Sequence, residues 1–163
     1  MEDPAGLRGE VVDSLAHDSK GLVTSETVET AMREVPRHEF VDAEHRAYLD
    51  QSFESGGATV LAPSTVAWLL EALAADPGEE VLVVGVGCGY TAAVLAAVAG
   101  PRRVHAIDID RGLVLTAREN LATAGYGAVL VDRRDGAEGL PEYAPFDRVL
   151  VEAAAVRPPR ALL

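Results

Sequence analysis

The chain has 163 residues, 48% of them hydrophobic, which is enough for one domain with a real core. Its 26 acidic residues outnumber 14 basic ones, and the net charge of −12, with no basic patch in the sequence to neutralise phosphates, argues against nucleic acid. No apolar stretch reaches bilayer-spanning length, Met1-Glu-Asp-Pro is not a signal peptide, and the single Cys88 excludes an internal disulfide, so the expectation is a cytoplasmic protein with no membrane or nucleic-acid partner.

Residues 5 to about 17 place Leu7, Val11, Val12 and Leu15 at helical spacing. Thr24 to Met32 reads as a second helix, with Ser25 as N-cap, Val28, Ala31 and Met32 inward, and Pro36 closing it. After Val35-Pro-Arg-His-Glu-Phe-Val41 comes a polar stretch with Tyr48 and Phe53, and then Glu54 to Gly57, which reads as a loop. Pro63 stands where a helix can begin; Val66, Leu69, Leu70 and Leu73 are its apolar face, and Asp76-Pro-Gly78 ends it. Trp68 and Tyr48 fit packing roles better than ligand roles.

From Glu80 the pattern alternates between strand and helix. Val81 to Val84 is an apolar run of buried-strand type, followed by Gly85, Gly87 and Gly89 and by a small-residue helix to about Ala99, stopped by Gly100-Pro101. A second strand, Val104 to Ile107, ends at Asp108. The helix after Asp110 turns Leu113, Val114, Ala117 and Leu121 inward and stops at Gly125. The third strand is read over 128–131, with Asp135-Gly136 in the loop behind it, and the fourth over 148–151. Pro158 to Leu163 looks like the start of another helix. Short right-handed crossovers around a central first strand give an α/β fold with a parallel sheet in the order 3-2-1-4. That order leaves the fourth strand on an open edge, which calls for further chain or for a second copy pairing there as a homodimer.

Strand, glycine loop, helix, strand and acid form the plan of a nucleoside-cofactor site at the carboxyl ends of a parallel sheet. Glycine permits a sharp turn and close approach of a ligand, the helix start offers free N–H groups, and the carboxylate of Asp108 can accept from both ribose hydroxyls. The dinucleotide fingerprint is G-x-G-x-x-G, but here the third glycine comes one residue early and Tyr90 holds its place. The spacing G-x-G-x-G is more typical of S-adenosylmethionine (SAM) enzymes; an NAD site and a ligand-free glycine turn stay open. Cys88 reads as a small residue beside a ligand, and no metal-ligand cluster or nucleophile–His–acid set is apparent. Lys20 is the only lysine. Abundant acid with one lysine fits either a high-salt cytoplasm, where screening suppresses self-repulsion, or an acidic protein from a GC-rich genome.

Val35-Pro-Arg-His-Glu-Phe-Val41, Ala58-Thr-Val-Leu-Ala-Pro63, the glycine loop ending in Gly89-Tyr90, Asp135-Gly-Ala-Glu-Gly139 and Ala144-Pro-Phe-Asp147 occur in this order. With these pieces the chain resembles the protein L-isoaspartyl (D-aspartyl) O-methyltransferases from about residue 7 to its end. The resemblance implies a Rossmann-like class I SAM methyltransferase domain over 1–163. Residues 1–57 would form an N-terminal helical, substrate-side segment and 58–163 the cofactor-binding α/β core. It implies SAM-dependent methylation of the carboxylate of L-isoaspartyl residues in damaged proteins, a repair reaction. Gly85, Gly87 and Gly89 would line the methionine end of the cofactor, Tyr90 would also bind it, Asp108 would hold the ribose, and Asp135 and Gly136 would lie by the adenine. Thr59 sits in the segment that closes over cofactor and substrate, and His38 is a candidate substrate contact.

The chain departs from the family pattern in three places. The serine regarded as catalytic falls on Leu61, leaving Thr59 or Ser64 as the nearby hydroxyls. The family's Glu two residues before the first glycine is Val83. Further strands that follow in the family lie beyond Leu163. Two alternatives therefore stand beside the enzyme reading: a non-catalytic SAM-binding relative, and a class I methyltransferase with another acceptor.

Overall fold

The structure, a computed structural model, describes residues 3–17, 21–153 and 157–163. Two helices open it, α1 (Pro4–His17) and α2 (Glu26–Glu34). Ser25 caps α2 by accepting a hydrogen bond from Val28 N, and Val28, Ala31 and Met32 face the core as their spacing predicts. The carboxylate of Glu71 accepts from the amides and hydroxyls of both Thr24 and Ser25, which ties this helix start to α3 (Pro63–Leu73).

The stretch read as a loop is instead a hairpin. Strands β1 (Phe53–Ser55) and β2 (Ala58–Val60) pair antiparallel around Gly56 and Gly57, whose φ values of 58° and 84° supply the two left-handed positions of a tight turn. Strands of three residues are too short for alternation to reveal. Asp42 clamps the turn, with Oδ1 accepting from Ser55 Oγ and Oδ2 from Gly56 N.

The main sheet contains β3 (Val81–Val84), β4 (Val104–Asp108), β5 (Leu130–Arg133) and β6 (Arg148–Val151), all parallel in the order β5-β4-β3-β6. This is the expected order, with β3 central and β6 at an edge. β5 begins two residues later than read from sequence. Tyr126 O accepts from Val129 N in a turn there, and the strand ends in the polar Asp132 and Arg133, which an edge position tolerates.

Every residue of β3 is buried because both faces of the sheet are covered. Val81 and Val83 belong to the larger core with α4 (Tyr90–Ala99) and the N-terminal helices. Leu82 and Val84 join Ile107, Leu140 and Phe146 on the other side. α4 is almost wholly buried, so small residues are what let it lie flat between sheet and helices. α5 (Arg111–Thr123) is capped by Asp110 and buries Val114, Ala117 and Leu121. Trp68, read as a packing residue, is 61% exposed, since α3 buries its opposite face through Val66, Ala67 and Leu70. The last residues form a short 3-10 turn, Arg160–Leu162, in place of an α-helix start. Among the described residues no helix is long and apolar enough to cross a membrane.

Candidate functional site

A cavity of about 530 Å³ opens at the carboxyl ends of the four parallel strands. Its walls include Thr59 and Leu61 from the hairpin segment, Gly85 and Gly87, Asp108, Asp135 and Gly136, and Glu152. That size lies within the usual range for small-ligand sites, roughly 300–1,000 Å³.

The glycine loop is shaped by its neighbours. Gly85 has φ 94°, and a Cβ placed there would stand 2.9 Å from the carbonyl oxygen of Glu152, so a side chain is excluded both by conformation and by space. Gly85 N and Val86 N both donate to Ile107 O, which carries the backbone from β3 across the end of β4. At that end, Asp108 Oδ1 accepts from Asp110 N at 3.0 Å and Oδ2 receives Gly87 N at 3.4 Å. The carboxylate is thereby oriented at the cavity wall with acceptor capacity to spare. Asp135 Oδ1 accepts from Ala137 N, so it shapes the turn that brings Gly136 to the wall. A Cβ on Gly136 would come within 2.5 Å of Val84 Cγ1.

Five of the expected cofactor residues, Gly85, Gly87, Asp108, Asp135 and Gly136, thus meet at one cavity. The other two do not line it. Gly89 is the N-cap of α4 with φ 94°, a left-handed conformation that favours glycine, and a Cβ there would make ordinary contacts with Leu121 Cγ and Ala117 at 3.4–3.5 Å, so it is the backbone turn into α4 that calls for glycine. Tyr90 is 4% exposed and lies under Arg37, whose guanidinium carbon is 4.8 Å from the ring centre, with Phe40 packed edge-on at 5.9 Å. Burial pushes its hydroxyl up to about 12. His38 does not line the cavity either. Its Nδ1 is 2.9 Å from the Tyr48 hydroxyl, an anchor for the 3-10 turn Arg37–Phe40.

Thr59 reaches the wall, but its hydroxyl donates to Glu54 Oε1 at 2.6 Å across the hairpin. Leu61 lines the cavity where the resemblance places a serine, and its carbonyl accepts from Arg37 Nη2 at 2.7 Å. Cys88 lies at a smaller neighbouring cavity; burial raises its thiol above the ordinary range, which keeps it protonated and unreactive at neutral pH.

Two residues at the site were missed in the sequence. Arg37 is 1% exposed, with Nε donating to Ala47 O at 2.6 Å and Nη2 to Leu61 O, while Nη1 has no acceptor. It stands in the motif Val35-Pro-Arg-His-Glu-Phe-Val41, directly before His38. Glu152 follows β6 directly, lines the cavity, and is pushed up to about 7 because burial outweighs the hydrogen bond from Thr91. Its signal was available: it is the lone acid in the apolar run Val149-Leu-Val-Glu-Ala153. Val83, where the resemblance places an acid, is fully buried in the larger core.

Residues 9–163 match the model of a family described as Protein-L-isoaspartate(D-aspartate) O-methyltransferase (PCMT). A protein of Aeropyrum pernix named Protein-L-isoaspartate O-methyltransferase is 47% identical over 148 residues, covering 88% of this chain and 57% of the relative. One of the same name from Methanothermobacter thermautotrophicus is 42% identical over 149 residues, covering 88% and 68%. The chain thus spans somewhat over half to two thirds of the length of these curated relatives. A solved protein-L-isoaspartate O-methyltransferase superposes with a TM-score of 0.82 at 28% identity, over 94% of this chain and 50% of that one. A Plasmodium falciparum protein crystallised with S-adenosyl-L-homocysteine shares the fold, with a TM-score of 0.82 at 22% identity, covering 95% and 77%.

Proposed function

The chain belongs to the protein-L-isoaspartate(D-aspartate) O-methyltransferase family, and from that membership we propose that its cavity binds SAM and serves methyl transfer to the carboxylate of L-isoaspartyl residues in damaged proteins. The observation that carries this reading is the Asp108 carboxylate, held by Gly87 N and Asp110 N beside a loop whose first glycine, Gly85, leaves no room for a side chain. The donors and acceptors at the wall fit the cofactor. Asp108 accepts from the ribose hydroxyls, Gly136 leaves a flat wall for the adenine next to Val84, and Gly85 and Gly87 let the methionine end approach the backbone. The relative that binds S-adenosyl-L-homocysteine has the same fold, which supports the choice of cofactor.

Bound SAM would supply a methyl group activated by its sulfonium. The acceptor carboxylate is ionised at pH 7, so the chain has no proton to remove. Its residues act by placement: Asp108 and the glycine loop fix the cofactor, and Thr59 and Leu61 form the wall from which an acceptor would approach. Leu61 brings no hydroxyl, and this favours a second reading, a cofactor-binding relative with weak transfer or with another acceptor.

Calorimetry with SAM and S-adenosylhomocysteine, followed by transfer to an isoaspartyl peptide, tests both readings. Asp108→Ala removes charge-assisted hydrogen bonds worth roughly 1.5–3 kcal/mol, so affinity should fall at least about tenfold. Equal affinity in the variant, or tight binding of NADH by the wild type, would overturn the site assignment. The reading includes two copies pairing along the β6 edge, where Val151 is 42% exposed; sedimentation equilibrium with no concentration dependence would remove that part. It also includes a cytoplasmic location, which fractionation of cells expressing the full-length protein checks.

A further inference from the structure

The carboxyl ends of the sheet carry their polar groups in a fixed order. Asp135 and Gly136 follow β5, Asp108 ends β4, Gly85 and Gly87 follow β3, and Glu152 follows β6. Neighbouring strands lie about 4.8 Å apart, so Asp108 and Glu152 stand roughly 10 Å from each other across the glycine loop. If Asp108 holds the ribose, the methionyl chain runs over Gly85 towards Glu152, and the extended chain covers that distance.

Glu152 is held tightly in this place. Its amide donates to Val84 O at 2.8 Å, and its carbonyl packs so closely on Gly85 that a Cβ there would be 2.9 Å away. Its side chain is bonded to Thr91, yet Oε1 is enclosed and meets no donor. A buried carboxylate with an unused oxygen is costly to keep, and its burial raises it to about 7. Arg37 does not relieve it. Arg37, whose Nη1 is also enclosed and without an acceptor, lines the same side cavity of about 20 Å³, but the two groups form no ion pair. That side cavity shares Thr59, Leu61, Gly87 and Glu152 with the main one. An unused acceptor and an unused donor of opposite charge thus border one side cavity next to the glycine loop, and together they match the two charges of an α-amino-acid head group.

We propose that Glu152 accepts hydrogen bonds from the α-ammonium of the cofactor's methionyl end, an inference that rests on the reading of the cavity as a SAM site. Glu152 is then a cofactor-binding residue at the far end of the cavity from the adenine wall. Its carboxylate exchanges a costly unpartnered state for a charge-assisted hydrogen bond when the amino-acid head arrives.

The test compares two probes by calorimetry. S-adenosylhomocysteine carries the ammonium but no sulfonium, and 5′-methylthioadenosine carries the same nucleoside and thioether without the amino acid. Glu152→Gln should weaken S-adenosylhomocysteine about tenfold or more and leave 5′-methylthioadenosine unchanged, and the second probe also reports that the variant is folded. Unchanged affinity for S-adenosylhomocysteine, or equal loss for both probes, overturns the assignment. Weakening of SAM alone would point to the sulfonium instead and overturn it as well. If the wild type binds neither probe, the cofactor reading itself fails and this inference with it.

Discussion

Replacing Glu152 by Gln in the ligand-free protein should change how stability depends on pH. The carboxyl has an ordinary value near 4.5 in an open chain and about 7 in the folded one, raised by burial against the weaker effect of Thr91. Between those values the folded state holds a proton that the unfolded state has lost. Wild-type stability therefore falls as pH rises from about 5 to 8, and the loss levels off above the folded value. A shift of this size corresponds to about 3 kcal/mol, most of it lost across that window. Gln is neutral throughout, so its curve lacks this component, while every other titrating group contributes equally to both proteins. Urea unfolding of wild type and Glu152→Gln at several pH values measures the difference. The stability of the variant relative to wild type should increase by about 2–3 kcal/mol between pH 5 and pH 8. Parallel curves, with the difference constant across the range, would mean that the carboxylate is solvated in the folded state and that its burial carries no such cost.

Three further outcomes are expected. Leu61→Ser should raise turnover on an isoaspartyl peptide by about fivefold, the worth of one hydrogen bond of ~1 kcal/mol; a wild type already as active as its relatives would show that the serine is dispensable here. Gly136→Ala places a Cβ 2.5 Å from Cγ1 of the buried Val84. Val84 is stiff at χ1, so overpacking should cost about 1–3 kcal/mol in urea unfolding and weaken S-adenosylhomocysteine binding; an unchanged midpoint would show that the turn moves freely. With a net charge of −12, the melting temperature should rise from low to molar salt if the composition reflects a high-salt setting, and no gain would leave the GC-rich explanation.

The sheet was legible in the sequence because its signals are local. The apolar run Val81–Val84, the glycines behind it and the proline or glycine stops each act within a few residues, and chirality of the crossovers then dictates the order β5-β4-β3-β6. Asp108 was legible for the same reason, as an acid ending an apolar strand. Gly89, Tyr90 and His38 do not line the main cavity, and spacing along the chain says nothing about which way a side chain turns. Gly89 supplies the left-handed turn with φ 94° that starts α4, and Tyr90 turns under Arg37. The hairpin over the cavity depends on Asp42 reaching Ser55 and Gly56, a contact across 13 and 14 residues. Composition and local pattern thus determined an α/β chain with a glycine-lined end to its sheet. Only the tertiary structure decided that Glu152 and Arg37 are enclosed there with unused hydrogen-bonding atoms, because burial and partner geometry depend on neighbours brought together from distant parts of the chain.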